Sequence, residues 1–413
     1  MFETMLQAQQ PHDYAVLYID MDAFFASVTQ QEHPHMRAKP VGVSPCVGDN
    51  CSIVAASYEA RAYGIKVGTR VAEARRRCPS IQIVSDSPAV YRTYHRHIMA
   101  ILHATYGQVG VRGIDEAYVI IPSYARSYDN VYALAKAIKS SIRRSVGEYI
   151  SCSIGIAPNI WLAKMAAQHK KPNGLTVLTL EGLADFYQGL GLTDCTGIGR
   201  RLARRLYGKG VMGVEDFAAR SLPCMRSLLG LVGEKWYLRL RGYEVDREWV
   251  VKAPQSMSHQ VTITGNRMLS LGQCRQYALT LATKLSARLR AHGLQARGVV
   301  LYVVHANGQT SQLAYQHTGH LEAERTIYKL ACGLLEQGYE HTLGLRLLAL
   351  SVTGLTSVRQ QELDLGMPVE VERERLLSRA LDAINNRFGP GSIGRAATWS
   401  RELVADRIGF TNF

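Results

Sequence analysis

The sequence has no apolar run of membrane-spanning length, and its N-terminus lacks the basic start and hydrophobic stretch of a secretory signal. A chain with no membrane span and no export is expected, and with it a cytoplasmic location. Cysteine is present but unorganised: the eight residues (46, 51, 78, 152, 195, 224, 274 and 332) include no Cys-x-x-Cys pair. Cys46 and Cys51 are the closest two, and no nearby Cys or His pair completes a zinc site, so reduced, partly buried thiols are expected. Internal repeats and low-complexity tracts are lacking too, which argues against a solenoid or a disordered array. Acid is in short supply: 34 Asp+Glu stand against 48 Lys+Arg, a net charge of +14. That imbalance bounds partners rather than fold, and favours a polyanion such as nucleic acid or an acidic membrane surface. What is there is a composition of 47% hydrophobic and 20% charged residues over 413 positions. Such a chain is globular, with roughly two to four domains.

The chemistry gathers in two acidic pairs. In Gly107-Gln-Val-Gly-Val-Arg-Gly-Ile-Asp115-Glu116, adjacent carboxylates follow a glycine-rich approach and precede the apolar run Ala117 to Ile121. The pattern suggests two strands joined by a tight turn with the acids at its tip. Far upstream, Val16 to Ile19 form another short apolar run that ends at Asp20, two residues before Asp22. If the two strands pair, Asp20, Asp115 and Glu116 converge. Hard divalent cations take oxygen ligands, and three acids shared by two ions match a clamp for in-line displacement at phosphorus. Either pair alone also fits a solvated turn and a strand-end cap.

Tyr18-Ile-Asp-Met-Asp-Ala-Phe-Phe-Ala26 resembles the opening catalytic motif of the Y-family (translesion) DNA polymerases, and Ile114-Asp-Glu-Ala-Tyr118 resembles their second. Between them, Ala56-Ser-Tyr58-Glu59-Ala60-Arg61-Ala-Tyr-Gly64 is similar to the family's triphosphate-binding segment. Downstream, Ser153 to Ala167 and Lys171-Pro172-Asn173-Gly174 match two more segments, in the family's order. The resemblance spans about residues 14–355 and is nearest the DNA polymerase IV (DinB-like) branch.

It implies an α+β right hand: a palm sheet backed by helices on one face (1–31 and 89–178), small fingers (32–88), a helical thumb (179–246), a linker (247–257), a ferredoxin-like little finger (258–355) and a tail (356–413). It further implies transfer of dNTPs onto the 3′-hydroxyl of primed template DNA, with low fidelity and no proofreading segment. Two Mg²⁺ ions would be held by Asp20, Asp115, Glu116 and the Met21 backbone carbonyl. In this resemblance Phe25 is the steric gate against ribonucleotides and Phe24 lies beside the nucleotide. Tyr58, Arg61 and Lys171 grip the triphosphate, and Lys164 supports DNA or the palm. A non-catalytic DNA-binding relative of the same fold, or a nucleotide cyclase on a similar palm, remain as rivals. The first loses the acids that this chain keeps, and the second does not explain the +14 charge.

The rest of the chain adds detail. Helical periodicity runs over Tyr91 to Gly107 and Val131 to Val146, and Ile150 to Ile156 reads as a strand. Arg75-Arg76-Arg77 reads as the exposed end of a helix. Gly197-Ile198-Gly199 followed by Arg200, Arg201, Arg204 and Arg205 looks like half of a helix-hairpin-helix, whose glycines let backbone N–H groups approach DNA phosphate. Beyond the linker the order strand, helix, strand, strand, helix, strand is a split βαβ pattern. In the tail, Gln361 to Gly366 faintly resembles a sliding-clamp peptide, and Arg373 to Phe388 is a periodic segment expected to dock as a helix. A monomer is expected. Departures from the family pattern are Gly113 for serine, Ala55 for a hydroxyl residue, Ile160 for lysine or threonine, and the missing basic residue ahead of Ser256-Met-Ser-His259.

Overall fold

The structure is a computed structural model that describes residues 10–246, 254–263, 267–357, 369–389 and 392–394. Its described residues form two compact units, one ending at Asp246 and the other starting at Pro254.

The first unit begins β1 (Val16–Met21) and α1 (Phe24–Glu32), followed by β2 (Val41–Ser44), β3 (Ala55–Ala56), α2 (Tyr58–Arg61), α3 (Val71–Arg77) and β4 (Gln82–Ser85). Then come α4 (Pro88–His103), β5 (Gln108–Val111), β6 (Glu116–Ile120), α5 (Tyr128–Ser145), β7 (Cys152–Ala157), α6 (Ile160–His169) and β8 (Leu175–Val177). Five helices close it: α7 (Leu183–Tyr187), α8 (Arg200–Tyr207), α9 (Val214–Ala219), α10 (Leu222–Leu229) and α11 (Leu231–Arg239).

The main sheet has the order β5-β6-β1-β7-β8, antiparallel except between β7 and β8. All six residues of β1 are buried. Successive side chains on a strand face opposite ways. Leu17, Ile19 and Met21 therefore enter a core with α1, α4 and α5, while Val16 and Tyr18 enter a second core with α6 and the closing helices. This corrects the expectation of helices on one face: a strand covered on both sides reads as a continuous apolar run, as Val16 to Ile19 does. On α5 the buried stripe is Val131, Ala135, Ile138 and Ile142.

The segment between α1 and α4 builds its own three-stranded sheet, β3-β2-β4, over a core of only Ile53, Ala56, Ala60, Ile65, Val71, Ala74, Cys78 and Ile81. Ser57 caps α2, its hydroxyl accepting from the Ala60 and Val41 amides at 3.3 and 3.1 Å. Arg75, Arg76 and Arg77 are exposed at the end of α3, as read from sequence. Cys46 and Cys51 are joined in a disulfide, contrary to the expectation of reduced thiols for this pair; the other six cysteines are free. The Cys51 amide donates to the Gly48 carbonyl and Arg75 holds the Val47 carbonyl, folding the loop until the two Cα atoms lie 6.1 Å apart, a span a disulfide bridges.

The second unit comprises β9 (Ser256–Thr262), α12 (Leu271–Ala291), β10 (Leu294–His305), β11 (Thr310–Leu321), α13 (Glu324–Gly338), β12 (Leu345–Thr353), β13 (Thr356–Ser357) and α14 (Val369–Phe388). The sheet order β11-β10-β12-β9 places β12 between β9 and β10, and β10 between β11 and β12. Two split βαβ units thus interleave, in the expected chain order. Ser256 and Met257, read from sequence as the end of a linker, already belong to β9, where Met257 is buried and its neighbours are exposed. Residues 247–253 of that linker, and 361–366 of the tail, lie outside the described residues.

The tail helix α14 forms, but its apolar stripe does not dock: Leu376 and Leu377 are more than half exposed. Charge ties it down instead, through Asp382 to Arg290 on α12 at 2.6 Å and Glu374 to Arg325 on α13 at 3.2 Å.

Candidate active site

The β1–β6 register sets Asp20 opposite Glu116, and the Met21 amide donates to the Asp115 carbonyl at 2.9 Å. Residues directly opposite on antiparallel strands share a face, so Asp20 and Glu116 project together, with Asp115 beside them in the turn. That turn is narrow: the Arg112 and Gly113 amides both donate to the Glu116 carbonyl, at 3.0 and 3.1 Å. Behind it, His95 on α4 contacts the Ile114 carbonyl through Nδ1 at 2.8 Å, and burial lowers its pKa.

Two lysines close on the acids. The Lys164 ammonium lies 2.8 and 2.6 Å from the two carboxylate oxygens of Glu116, and the Tyr18 hydroxyl donates to the same group at 2.8 Å. Lys171 pairs with Asp20. Even so, burial outweighs the lysine and raises the pKa of Asp20. Asp115 is pushed up to about 6, first by burial and then by Glu116 and Asp20. Tyr18 is also raised, by burial and then by Glu116. Three carboxylates are crowded into a half-buried corner, with two ammonium groups to offset them.

The expected nucleotide contacts surround this corner. Phe24 and Phe25 open α1, both almost fully buried, and Phe25 stacks on Tyr91 with ring centroids 4.3 Å apart and planes 16° off parallel. The Tyr58 hydroxyl reaches Asp22 at 3.5 Å, and burial raises its pKa to about 12. Arg61 is exposed, its guanidinium lying over the Tyr58 ring at 4.6 Å and its Nε donating to the Ala56 carbonyl at 3.1 Å. Ala55 is buried in β3, and Ile160 is buried at the start of α6, where its amide donates to Glu244 at 2.8 Å.

Residues 19–168 match the model of the impB/mucB/samB family, and residues 254–365 match the model of that family's C-terminal domain. A DNA polymerase IV of Moorella thermoacetica is 31% identical over 396 residues, covering 94% of this chain and 96% of its own length. One from Pelotomaculum thermopropionicum is 30% identical over 386 residues, 93% of this chain and 95% of its own. The chain belongs to the Y-family DNA polymerases, in their DNA polymerase IV branch. The fold agrees. A Y-family DNA polymerase chimera superposes with a TM-score of 0.72 at 23% identity, over 83% of this chain and 99% of that one. DinB from Sulfolobus solfataricus gives 0.53 at 24% identity over the same shares.

As a Y-family member the polymerase is a DNA-binding, template-directed translesion enzyme that needs divalent metal ions. Among the described residues no group of three His, Cys, Asp or Glu side chains is set to hold an ion as placed; Lys164 pairs with Glu116 and Lys171 with Asp20. The donors nevertheless suit one: they are hard oxygens, mutually repelling, and partly neutralised by the two ammonium groups. Ahead of α8, Gly197 has φ +100°, a left-handed conformation open to glycine, and Gly199 precedes the helix in extended backbone. Ala203 and Leu206 are buried, so Arg200, Arg201, Arg204 and Arg205 all face outward. No helix among the described residues is long and apolar enough to cross a membrane.

Sequence reasoning missed Tyr18, His95, Tyr91 and the role of Asp22, and placed Lys164 only loosely. Tyr18 stood in the sequence only as part of an apolar run and a motif, and Tyr91 and His95 only as members of a helical segment, with nothing to name their partners. Asp22 was visible as the second acid of its pair, with no sign of the serines, amide and hydroxyl that would surround it.

Proposed function

We propose that Asp20, Asp115 and Glu116 are the catalytic carboxylates of this polymerase, holding two Mg²⁺ ions with help from the Met21 carbonyl. The observation that carries this reading is the β1–β6 register, which sets Asp20 opposite Glu116, acids 96 residues apart in sequence, with Asp115 beside them in the turn. When bound, the ions supply positive charge to the primer 3′-oxygen and to the triphosphate oxygens. The polymerase transfers a deoxynucleotide from a dNTP to the primer 3′-hydroxyl, releasing pyrophosphate.

Lys171, paired with Asp20 in this structure, turns to the β- or γ-phosphate as a point charge once Asp20 has other cations. Tyr58 and Arg61 add a hydroxyl and a planar fork of donors to the same triphosphate. Lys164 and Tyr18 hold Glu116 on the α6 side. Phe25, stacked on Tyr91, is the gate that excludes a 2′-hydroxyl. The small fingers core leaves room for distorted templates, which gives low fidelity, and synthesis proceeds without proofreading. Gly197, Gly199, Arg200, Arg201 and Arg204 contact DNA phosphates. The protein acts as a cytoplasmic monomer, with residues 361–366 as a clamp-binding segment. The non-catalytic alternative is disfavoured by the retention of all three acids.

The test is extension of a primed template with Mg²⁺ and dNTPs by wild type, Asp115→Ala and Glu116→Ala. Extension by wild type and loss of at least about a thousandfold in each variant is expected. Activity surviving in both would place the centre elsewhere, and an inactive wild type that binds primed DNA would restore the accessory reading.

A further inference from the structure

Asp22 is 1% exposed, deeper than Asp20 two residues before it. Its Oδ1 accepts from the Ser153 hydroxyl at 2.8 Å and the Tyr58 hydroxyl at 3.5 Å, and its Oδ2 from the Ser151 hydroxyl at 2.9 Å and the Asn173 amide at 2.8 Å. Lys171 lies 4.0 Å away. An ionised carboxylate offers about four acceptor positions, and all are taken here, so this acid is not available to an ion as Asp20 is. A buried charge costs far more than a buried amide or hydroxyl, and a neutral side chain would suffice merely to join the strands.

What the carboxylate joins is specific. Ser151 and Ser153 lie at β7, Asn173 lies in the turn that presents Lys171, and Tyr58 starts α2. Three segments distant in sequence, two of which carry proposed triphosphate contacts, are tied to one group.

We propose that Asp22 is a positioning residue for the incoming nucleotide, fastening the Lys171 turn and the Tyr58 hydroxyl in the places from which they meet the triphosphate. This rests on the reading of those two side chains as triphosphate contacts. The charge of Asp22 sits behind Lys171 and keeps its ammonium on the side of the acids when it leaves Asp20. The Asn173 amide, held by Oδ2, fixes the turn itself.

Single-nucleotide insertion kinetics on primed DNA test this with Asp22→Asn, Ser153→Ala, Lys171→Ala and the Asp22→Asn/Lys171→Ala double variant. Asparagine keeps the size, removes the charge and can turn an N–H₂ against the Asn173 amide. The expected result for Asp22→Asn is a KM for dNTP raised about tenfold or more, with kcat within about threefold of wild type and an unchanged Kd for primed DNA. In the Lys171→Ala background the same change should add less than it does alone, because the share of the effect that runs through the lysine is already lost and only the Tyr58 share remains. Ser153→Ala, which keeps the charge and withdraws one donor, should raise KM about threefold, and it decides the matter if Asp22→Asn does not fold. An unchanged KM in folded Asp22→Asn or in Ser153→Ala, or full multiplicative effects in the double variant, overturns the proposal. Asp115→Ala run alongside separates the readings. Extension surviving there sinks the site assignment itself, whereas extension lost there with KM unmoved in Asp22→Asn sinks only the role of Asp22.

Discussion

Asp115 carries the clearest electrostatic signature of the proposed site, a carboxyl whose pKa burial and two neighbouring acids push up to about 6. In the unfolded chain the group titrates near its ordinary value of 3.8. Between those values the folded state binds the extra proton, so stability falls as pH rises through the window; the penalty is absent below the unfolded value and complete above the folded one. Asp115→Asn removes that penalty. Metal-free protein carrying it should unfold about 2–4 °C higher than wild type near neutral pH, from roughly 1–2 kcal/mol after allowance for screening, and no higher at pH 4. The same variant should lose extension, and Mg²⁺ should raise the unfolding midpoint of wild type but not of the variant. Equal midpoints at both pH values would show that Asp115 is not crowded as described. Phe25 offers a second test at this scale. Its ring is backed by Tyr91 at 4.3 Å, so Tyr91→Ala withdraws the wall behind the proposed gate. Ribonucleotide insertion relative to deoxynucleotide insertion should rise about tenfold, and more in Phe25→Ala. A ratio unchanged in Phe25→Ala would remove the gate from that residue.

Between elements, the closest approach that positions the site is that of α6 to β7. A Cβ on Gly155 would stand 2.0 Å from the Ala163 carbonyl oxygen and 2.4 Å from the Ala167 amide, both backbone atoms that cannot turn aside. Gly155→Ala must therefore push α6 off the sheet, and with it Lys164, which holds Glu116. Destabilisation of about 2–4 kcal/mol is expected by denaturant titration, with extension reduced in whatever protein remains folded. A loss under about 0.5 kcal/mol would mean that the helix has slack that the contacts do not show. Much of this layer was legible beforehand. The hairpin bearing Asp115 and Glu116 is marked by glycines before an apolar run, and β1 by an apolar run that stops at acid. Both signals are local. What escaped depended on partners: Val16 to Ile19 has no alternation because both faces are covered, so the run could not say that helices lie on each side. The start of β9 was missed because Met257 alone is apolar there, and α14 was recognised by a periodicity that carries no information about whether its stripe is covered. In the site, residue types named the three acids, whereas Tyr18, His95 and Asp22 acquire their roles only through bonds across 19 or more positions.

At the scale of the whole chain the net charge of +14 is the dominant fact, and it is spent on a partner rather than on the fold. Arg200, Arg201 and Arg204 are exposed on α8 while Ala203 and Leu206 turn inward, so an entire side of that helix presents guanidinium groups after the Gly197-Ile198-Gly199 turn. If these arginines neutralise DNA phosphates, each contact releases condensed counterions, and the logarithm of the binding constant falls with the logarithm of salt by about 0.9 per phosphate neutralised. The triple variant Arg200→Ala/Arg201→Ala/Arg204→Ala should bind primed DNA more weakly at low salt, with a salt slope shallower by about 2 to 3. Contacts to phosphate position without reading bases, so two primed templates of different sequence should lose affinity equally. Extension at saturating DNA should keep its kcat, since the side chains bonded to the carboxylates are Lys164, Lys171 and Tyr18 and not these arginines. An unchanged slope would move the phosphate contacts off α8 and leave the surplus charge to other surfaces. A slope that changes together with kcat at saturation would instead mean that α8 sets the register of the primer end at the acids, and that this helix positions chemistry as well as DNA.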